Sequence, residues 1–281
     1  MFGKGNLLLA GIIFTAVFSK VIVGNKLLDV VSDVIDDLYN GCQKEAMEKF
    51  INSGLLKKEL SNSEEFQKAW TKNTQCSSLI PGGIREHTAA LSVFLDGDEA
   101  FLKKVNNAVE TLGANLTTYE NDFHFKSLHF LLMDSMKLLK PKTCKTVYLL
   151  FDGKPPKKGS TVRFGGFTVG DSDSDNLPDL VDEVLLKIES CFFVSLGDHT
   201  CKKNTEVLIT PAEVFTVNDV GTKKDDDDVN YTEVVLKHLE LNSTHNCYMF
   251  LRPTSAQPSQ APGLLPLVPP LVVLSLWSLF I

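Results

Sequence analysis

The sequence lacks several features that would assign it to common functional classes. Basic residues are not in excess, because 28 Lys and Arg stand against 35 Asp and Glu and give a formal net charge of -7 at pH 7. This balance argues against a nucleic-acid-binding protein and against a basic protein of membrane surfaces. No internal repeat is visible, and none of the six cysteines belongs to a Cys-x-x-Cys pair. The cysteine spacing therefore does not favour a zinc or redox motif.

Apolar runs lie near both ends of the chain. The run from Leu7 to Phe18 is short and has the layout of a cleaved signal peptide, to which we assign residues 1–24. Residues 264–281 are wholly apolar, lack a basic flank and follow a polar, proline-rich spacer at 253–263. This arrangement is typical of a glycosylphosphatidylinositol signal whose tail is removed. Ser255 is the candidate attachment site, and a C-terminal transmembrane helix is the alternative.

Export would place the chain in an oxidising compartment, where an even number of cysteines predicts disulfides. Three N-glycosylation triplets, beginning at Asn115, Asn230 and Asn242, are consistent with export. The length of 281 residues suits one sizeable domain, which we assign to residues 25–252. We therefore expect a single domain on the outer face of the plasma membrane, held there by a lipid anchor.

The spacing of apolar residues changes halfway along the chain. Three- and four-residue spacing predicts helices over residues 27–40, 64–71, 87–95, 99–112 (with Asp98 as N-cap) and 125–139. Runs of β-branched and aromatic residues predict strands over residues 146–151, 161–168, 184–189, 206–209, 213–217 and 231–241. Helices first and strands second indicate an α+β fold.

Three segments of the second half form a recognisable pattern. They read VYL at 147–149, FGGFTVGD at 164–171 and NTEVLITPAEVFTV at 204–217. They resemble the core of the vertebrate ecto-mono-ADP-ribosyltransferases, which transfer ADP-ribose from NAD to arginine side chains. That family writes the segments as V-Y-R-G, F-G-G-F-x-S-x-S and E-x-E-V-L-I-P-P-x-E-x-F-x-V. Segments 36–42 and 125–132 also resemble the family.

The resemblance implies a helical N-terminal half packed on a mainly antiparallel β core, tied by disulfides. It implies the bridges Cys42–Cys247 and Cys144–Cys191, which leaves Cys76 and Cys201 to each other. It also implies NAD as co-substrate, arginine-bearing extracellular proteins as acceptors, and no metal.

The family's chemistry depends on four polar positions, three of which differ here. ADP-ribosyl transfer passes through an oxocarbenium-like state, which needs a nearby carboxylate to stabilise the developing positive charge. The resemblance assigns that role to Glu206, and it places Phe167 and Thr168 among the NAD contacts. The family's Arg, its Ser and its acceptor-orienting Glu are replaced here, at Leu149, Val169 and Asn204 respectively.

These replacements leave several functions open. A hydrogen bond to a charged group is worth about 1.5–3 kcal/mol, so losing the Arg alone would weaken NAD handling roughly ten- to a hundredfold. Arg163 is a possible substitute cation. Alternate aspartates at 171–175 could ligate Ca²⁺ or repel the NAD diphosphate. The chain could be an arginine-specific ADP-ribosyltransferase, a recognition protein on the same fold without catalysis, or an NAD glycohydrolase that uses water as acceptor.

Overall fold

The computed structural model describes residues 27–29, 33–73, 78–225 and 228–250. The expected signal peptide, spacer and apolar tail, Ser255 and Cys76 lie outside these ranges and stay predictions. Within the ranges, none of the helices has both the length and the apolar character needed to span a bilayer.

Helices dominate the first half of the described chain. They are α1 (Gln43–Met47), α2 (Leu55–Ser61), α3 (Glu64–Asn73), α4 (Arg85–Asp96), α5 (Glu99–Thr111), α6 (Leu116–Asp122) and α7 (Lys126–Leu138), with a π-helical turn at Glu48–Asn52. The second half adds α8 (Leu196–His199) and a 3-10 turn at Ser174–Asn176. The sequence predicted α3, α4, α5 and α7. Asp98 caps α5 as expected, since its side chain accepts hydrogen bonds from Ala100 N (3.0 Å) and Phe101 N (3.4 Å).

The predicted helix over residues 27–40 is wrong. Leu27–Asp29 forms a strand, and residues 35–39 have no regular structure. Their carboxylates are the physical reason, because Asp36 accepts from Thr244 N and His245 N while Asp37 accepts from Cys247 N and Tyr248 N. Hydrogen bonds to the far end of the domain thus override the local helical spacing.

The strands in the described ranges, nine in number, form one sheet. They are β1 (Leu27–Asp29), β2 (Lys145–Leu150), β3 (Thr161–Phe164), β4 (Thr168–Asp171), β5 (Val184–Ser190), β6 (Phe193–Ser195), β7 (Glu206–Ile209), β8 (Glu213–Lys224) and β9 (Asn230–Leu241). The order across the sheet is β1-β3-β8-β9-β5-β2-β4-β7-β6, and only the β5–β9 pair is parallel among these strands. The α+β class and the mainly antiparallel core are confirmed. The strand predicted over 161–168 is interrupted at Gly165 and Gly166 and continues as β4.

Two apolar cores lie on opposite faces of the sheet. The first joins the helices to sheet residues such as Leu208, and the second consists of side chains from the strands and the segments beside them, including Val207 and Ile209. Alternation along β7 sends successive side chains to different cores. The disulfides Cys42–Cys247 and Cys144–Cys191 are present, and no cysteine in the described part of the chain carries a free thiol.

A buried polar network joins residues just before α1 to residues after β9, and we call it the aspartate clamp: Asp36, Asp37, Arg163 and residues 244–248. Arg163 Nη1 donates to Asp36 Oδ2 over 2.9 Å, and both side chains are fully buried. Burial raises the pKa of Asp36, but hydrogen bonds from His245, Thr244 and Arg163 outweigh burial and lower that pKa to about 2. Burial raises the pKa of Asp37 to about 6. The clamp and Cys42–Cys247 fasten the same two segments.

Candidate active site

Glu206 is the first residue of β7 and lies partly exposed at the end of the strand. Asn204 holds it from two directions: Asn204 Nδ2 donates to Glu206 Oε2 over 2.9 Å, and Glu206 N donates to Asn204 Oδ1 over 3.2 Å. The amide therefore occupies one oxygen of the carboxylate and fixes its direction. The structure brings these two predicted site residues together.

The backbone of Asn204 is set by its contact with α8. A Cβ added at Gly197 would lie 2.1 Å from Asn204 O and 2.7 Å from Asn204 N. Only a glycine allows the two backbones to approach this closely. The short helix after β6 thus positions the loop that carries Asn204.

Val169 shares a face of the sheet with Glu206. Strands β4 and β7 are antiparallel, with Val169 opposite Leu208 and Asp171 opposite Glu206. Val169 is partly exposed and packs against the first core. Where the family has a serine hydroxyl, this chain therefore has the methyl groups of Val169. They lie on the same face as Asp171, the residue that pairs with Glu206, two positions earlier in β4.

Leu149 lies on the opposite face of the sheet. Its neighbour Tyr148 pairs with Asp171, so alternation turns Leu149 away from the face of Glu206. Leu149 is completely buried in the second core. The structure does not bring Leu149 together with Val169, Asn204 and Glu206.

The acidic loop, residues 171–176, is held next to Glu206 by hydrogen bonds that the sequence alone did not indicate. Asp171 Oδ2 accepts from Thr205 Oγ1 over 2.9 Å, and Asp171 Oδ1 accepts from Asp173 N over 2.8 Å. Asn176 Nδ2 donates to Thr205 Oγ1 over 2.7 Å. These bonds tie the loop to the residue preceding Glu206. The alternating aspartates were visible in the sequence, but their partner Thr205 lies some 30 residues further on.

Three other expected site residues are buried in protein contacts. Asn106 pairs with the Phe167 backbone through both of its amide atoms, at 2.9 and 3.0 Å, and Thr168 is fully buried. Their contact with NAD stays a prediction. Arg163 does not serve as a substitute cation at this site, since it lies on β3 and is paired there with Asp36. Four strands separate β3 from β4, which corresponds to roughly 24 Å at the usual strand spacing.

The three expected glycosylation sites reach the surface to different extents. Asn115 and Asn230 are exposed, and Asn242 is partly exposed. Asn115 caps α6 by accepting from Thr118 N through Oδ1 over 2.9 Å. That bond leaves the amide nitrogen, the atom that carries a glycan, available. Glycosylation of all three stays a prediction.

The residues on the Glu206 face fit only part of an NAD molecule. Glu206 and Asn204 offer an oriented carboxylate and an amide, which suit ribose hydroxyls and a developing positive charge. Leu149 and Val169 offer no hydrogen-bond donor, so the family positions that would hold the rest of NAD are apolar here. The arrangement therefore suits cleavage of the bond between nicotinamide and ribose better than it suits binding of the whole NAD molecule.

Comparison with known proteins gives a consistent result. Residues 28–244 match the family of NAD:arginine ADP-ribosyltransferases. Ecto-ADP-ribosyltransferase 5 of Mus musculus is 31% identical over 208 residues, covering 68% of this chain and 66% of that protein. Ecto-ADP-ribosyltransferase 4 of Mus musculus is 27% identical over 252 residues, covering 84% of this chain and 80% of that protein.

A solved structure supports the same relationship. The crystal structure of the eucaryotic mono-ADP-ribosyltransferase ART2.2 is 26% identical, with a TM-score of 0.56, and the match covers 76% of this chain and 95% of that one. The chain spans just under two thirds of the length of the first curated relative.

Proposed function

This chain belongs to the NAD:arginine ADP-ribosyltransferase family, and from that premise we propose that it cleaves NAD and transfers ADP-ribose to arginine-bearing proteins outside the cell. Glu206 is the residue that would stabilise the positive charge on the ribose as nicotinamide leaves. The matched relatives are named as ecto-enzymes, which supports a place at the cell surface. The anchor would be the lipid expected from the C-terminal sequence.

One observation carries this proposal: the carboxylate of Glu206 is oriented before any ligand arrives. The bond from Asn204 Nδ2 to Glu206 Oε2 holds one oxygen, and Glu206 N returns a bond to Asn204 Oδ1. A carboxylate fixed in this way costs little reorganisation when positive charge develops nearby. Electrostatic stabilisation of this type is usually the largest single contribution to catalysis.

A specific observation favours a second candidate, a recognition protein that does not cleave NAD. Leu149 is fully buried in the second core and Val169 packs against the first. Neither offers a charge or a hydrogen bond to a diphosphate. A protein that binds partners through this fold would not need either group.

Asn204 favours hydrolysis as a variant of the first candidate. An amide accepts hydrogen bonds but lacks the charge that holds a guanidinium through two parallel bonds. Water would then compete better with an arginine acceptor for the ADP-ribosyl group.

The test is release of nicotinamide by the purified protein, measured with and without a small guanidino acceptor. We expect release in the wild type and a loss of at least about a hundredfold in Glu206→Gln, the size seen when one stabilising group is removed. Glu189→Gln, an exposed carboxamide substitution on β5, is the matched control and should leave release unchanged.

The outcomes separate the three readings. Release that requires the acceptor and yields ADP-ribosylated product supports transfer, whereas release indifferent to the acceptor supports hydrolysis. If calorimetry detects no binding at millimolar NAD, both enzymatic readings fail and the recognition protein remains.

A further inference from the structure

A buried carboxylate that the proposed reaction does not use lies where β5 ends and β8 begins. Glu213 is completely buried, and its Oε2 accepts from Ser190 Oγ over 2.5 Å. Its Oε1 accepts from Cys191 N over 2.7 Å and lies 2.7 Å from His238 Nδ1. Burial raises the pKa of Glu213. Within the part of the chain that the structure describes, these hydrogen-bond partners of Glu213 carry no permanent positive charge.

The side chains around Glu213 are ligand types that Zn²⁺ prefers. Cys191 Sγ, a ring nitrogen of His238 and a carboxylate oxygen of Glu213 all lie within 4.8 Å of one another. Thiolate, imidazole and carboxylate are the three protein ligands of zinc. The three residues come from separate parts of the chain, so the spacing of cysteines in the sequence gave no sign of them.

In the folded protein one ligand is blocked. Cys191 is bonded to Cys144, and zinc binds a thiolate rather than a disulfide sulfur. Cys144 is exposed and Cys191 is partly exposed, so a small thiol has access to the bond. His238 keeps 24% of its side chain exposed, which leaves an entry path for an ion.

We propose that reduction of Cys144–Cys191 by an external thiol opens a Zn²⁺ site formed by Cys191, Glu213 and His238. Two external thiols would supply two electrons and two protons to the disulfide and leave joined as a disulfide of their own. Zn²⁺ would then displace the proton of the Cys191 thiol. The ion would link the end of β5 to β8 and β9, and it would neutralise the buried carboxylate.

Two cysteine variants form a matched pair that tests the site without any reductant. Cys144→Ala and Cys191→Ala lose the same disulfide, but the first keeps the sulfur beside Glu213 and His238, whereas the second keeps only the exposed sulfur. Both leave the Cys42–Cys247 bridge intact. Circular dichroism of each variant establishes that the fold is retained.

The probe is Co²⁺, whose tetrahedral thiolate complexes absorb strongly in the near ultraviolet, followed by displacement with Zn²⁺. We expect one Co²⁺ to bind Cys144→Ala with a thiolate charge-transfer band, and no such band for Cys191→Ala or for the oxidised wild type. Zn²⁺ should also raise the unfolding temperature of Cys144→Ala only. In the wild type, treatment with a dithiol reductant, followed by its removal before Co²⁺ is added, should produce the same band.

A histidine pair checks the second ligand. In the Cys144→Ala background, His238→Gln should weaken Co²⁺ binding by more than the roughly ten- to a hundredfold caused by losing an outer-shell partner of a metal. His124→Gln, which changes an exposed histidine outside the cluster, should not alter it. The proposal is overturned if folded Cys144→Ala binds no Co²⁺, or if Cys191→Ala gives the same band.

Discussion

The aspartate clamp and the Glu206 face place charged groups in opposite ways. In the clamp, Asp36 is fully buried and receives hydrogen bonds from Arg163, Thr244 and His245. On the Glu206 face, apolar Val169 stands at a family serine position, and Leu149, at the family arginine position, turns into the second core. The chain therefore has charged side chains where they connect segments of the fold, and apolar side chains at two family positions that would contact a ligand. Stability and ligand chemistry can vary separately in this fold.

The largest effect should come from breaking the clamp. Asp36→Asn leaves Arg163 buried without its counter-charge and turns an amide NH₂ toward existing donors. We expect the free energy of unfolding to fall by about 5 kcal/mol, the upper part of the range for an uncompensated buried charge. Urea unfolding measures it, with the exposed Asp179→Asn as control. A loss below about 1 kcal/mol would mean that the clamp does not stabilise the fold.

Restoring the family arginine at position 149 should also destabilise the protein. Leu149→Arg inserts an unpaired charge into the second core, and we expect a loss of about 4 kcal/mol in the free energy of unfolding. The same substitution at Leu239, which is 51% exposed on β9, should change stability by less than about 0.5 kcal/mol. A stable Leu149→Arg protein that binds NAD more tightly would show that this position turns toward the ligand after all.

Acid should weaken the region next to the clamp through His129. Its Nε2 contacts the carbonyl oxygen of Ile35 (3.0 Å) and its Nδ1 lies 2.9 Å from the Tyr39 hydroxyl, which then donates to it. These partners suit a neutral ring, and burial lowers the pKa of His129 from 6.5 to about 4. The stability that this neutral ring contributes is fully present above pH 6.5 and is lost as the pH falls toward 4, by about 3 kcal/mol.

The measurement for His129 is the difference in unfolding free energy between the wild type and His129→Gln at pH 7, 5.5 and 4. Taking the difference removes the effect of Asp37, whose pH dependence is opposite to that of His129. Because the pKa of Asp37 is raised, its contribution to stability declines as the pH rises through about 6. A difference that does not change with pH would contradict the assignment.

The smallest expected change is at Val169. Val169→Ser removes methyl groups from a partly exposed site and should cost about 1 kcal/mol of stability. One added hydrogen bond of about 1 kcal/mol would raise nicotinamide release roughly fivefold. Val184→Ser, at a partly buried position against the second core, should lower stability similarly without changing release. Equal release in both variants would show that the hydroxyl has no role on the Glu206 face.

The sequence predicted those elements whose formation depends on neighbouring residues, such as β7 and the N-terminus of α5. Strand β7 was predicted near residues 206–209, where it lies, and Asp98 was identified as a cap, because β-branched runs and capping residues act over a few positions. The helix over residues 27–40 failed because Asp36 and Asp37 find their partners more than 200 residues away. No local pattern contains that information.

The candidate site was predictable in composition but not in geometry. The motif positions identified Glu206, Asn204, Val169 and Leu149 from the sequence. Which of them share a face depends on the register between β2 and β4, where Tyr148 rather than Leu149 pairs with Asp171. Register between strands is set by the whole sheet, so it became visible only in the structure.

The position of β9 has a consequence for how this protein is made. Among the described residues β9 is the last strand, yet it lies between β8 and β5, and its pairing with β5 is parallel. Until residue 241 has been synthesised, β5 and β8 both present unpaired edges that invite association with other chains. The sheet cannot be completed before that point, so completion of the fold is a late, non-local step. We expect newly made protein to depend on chaperones during that interval more than its final stability would suggest.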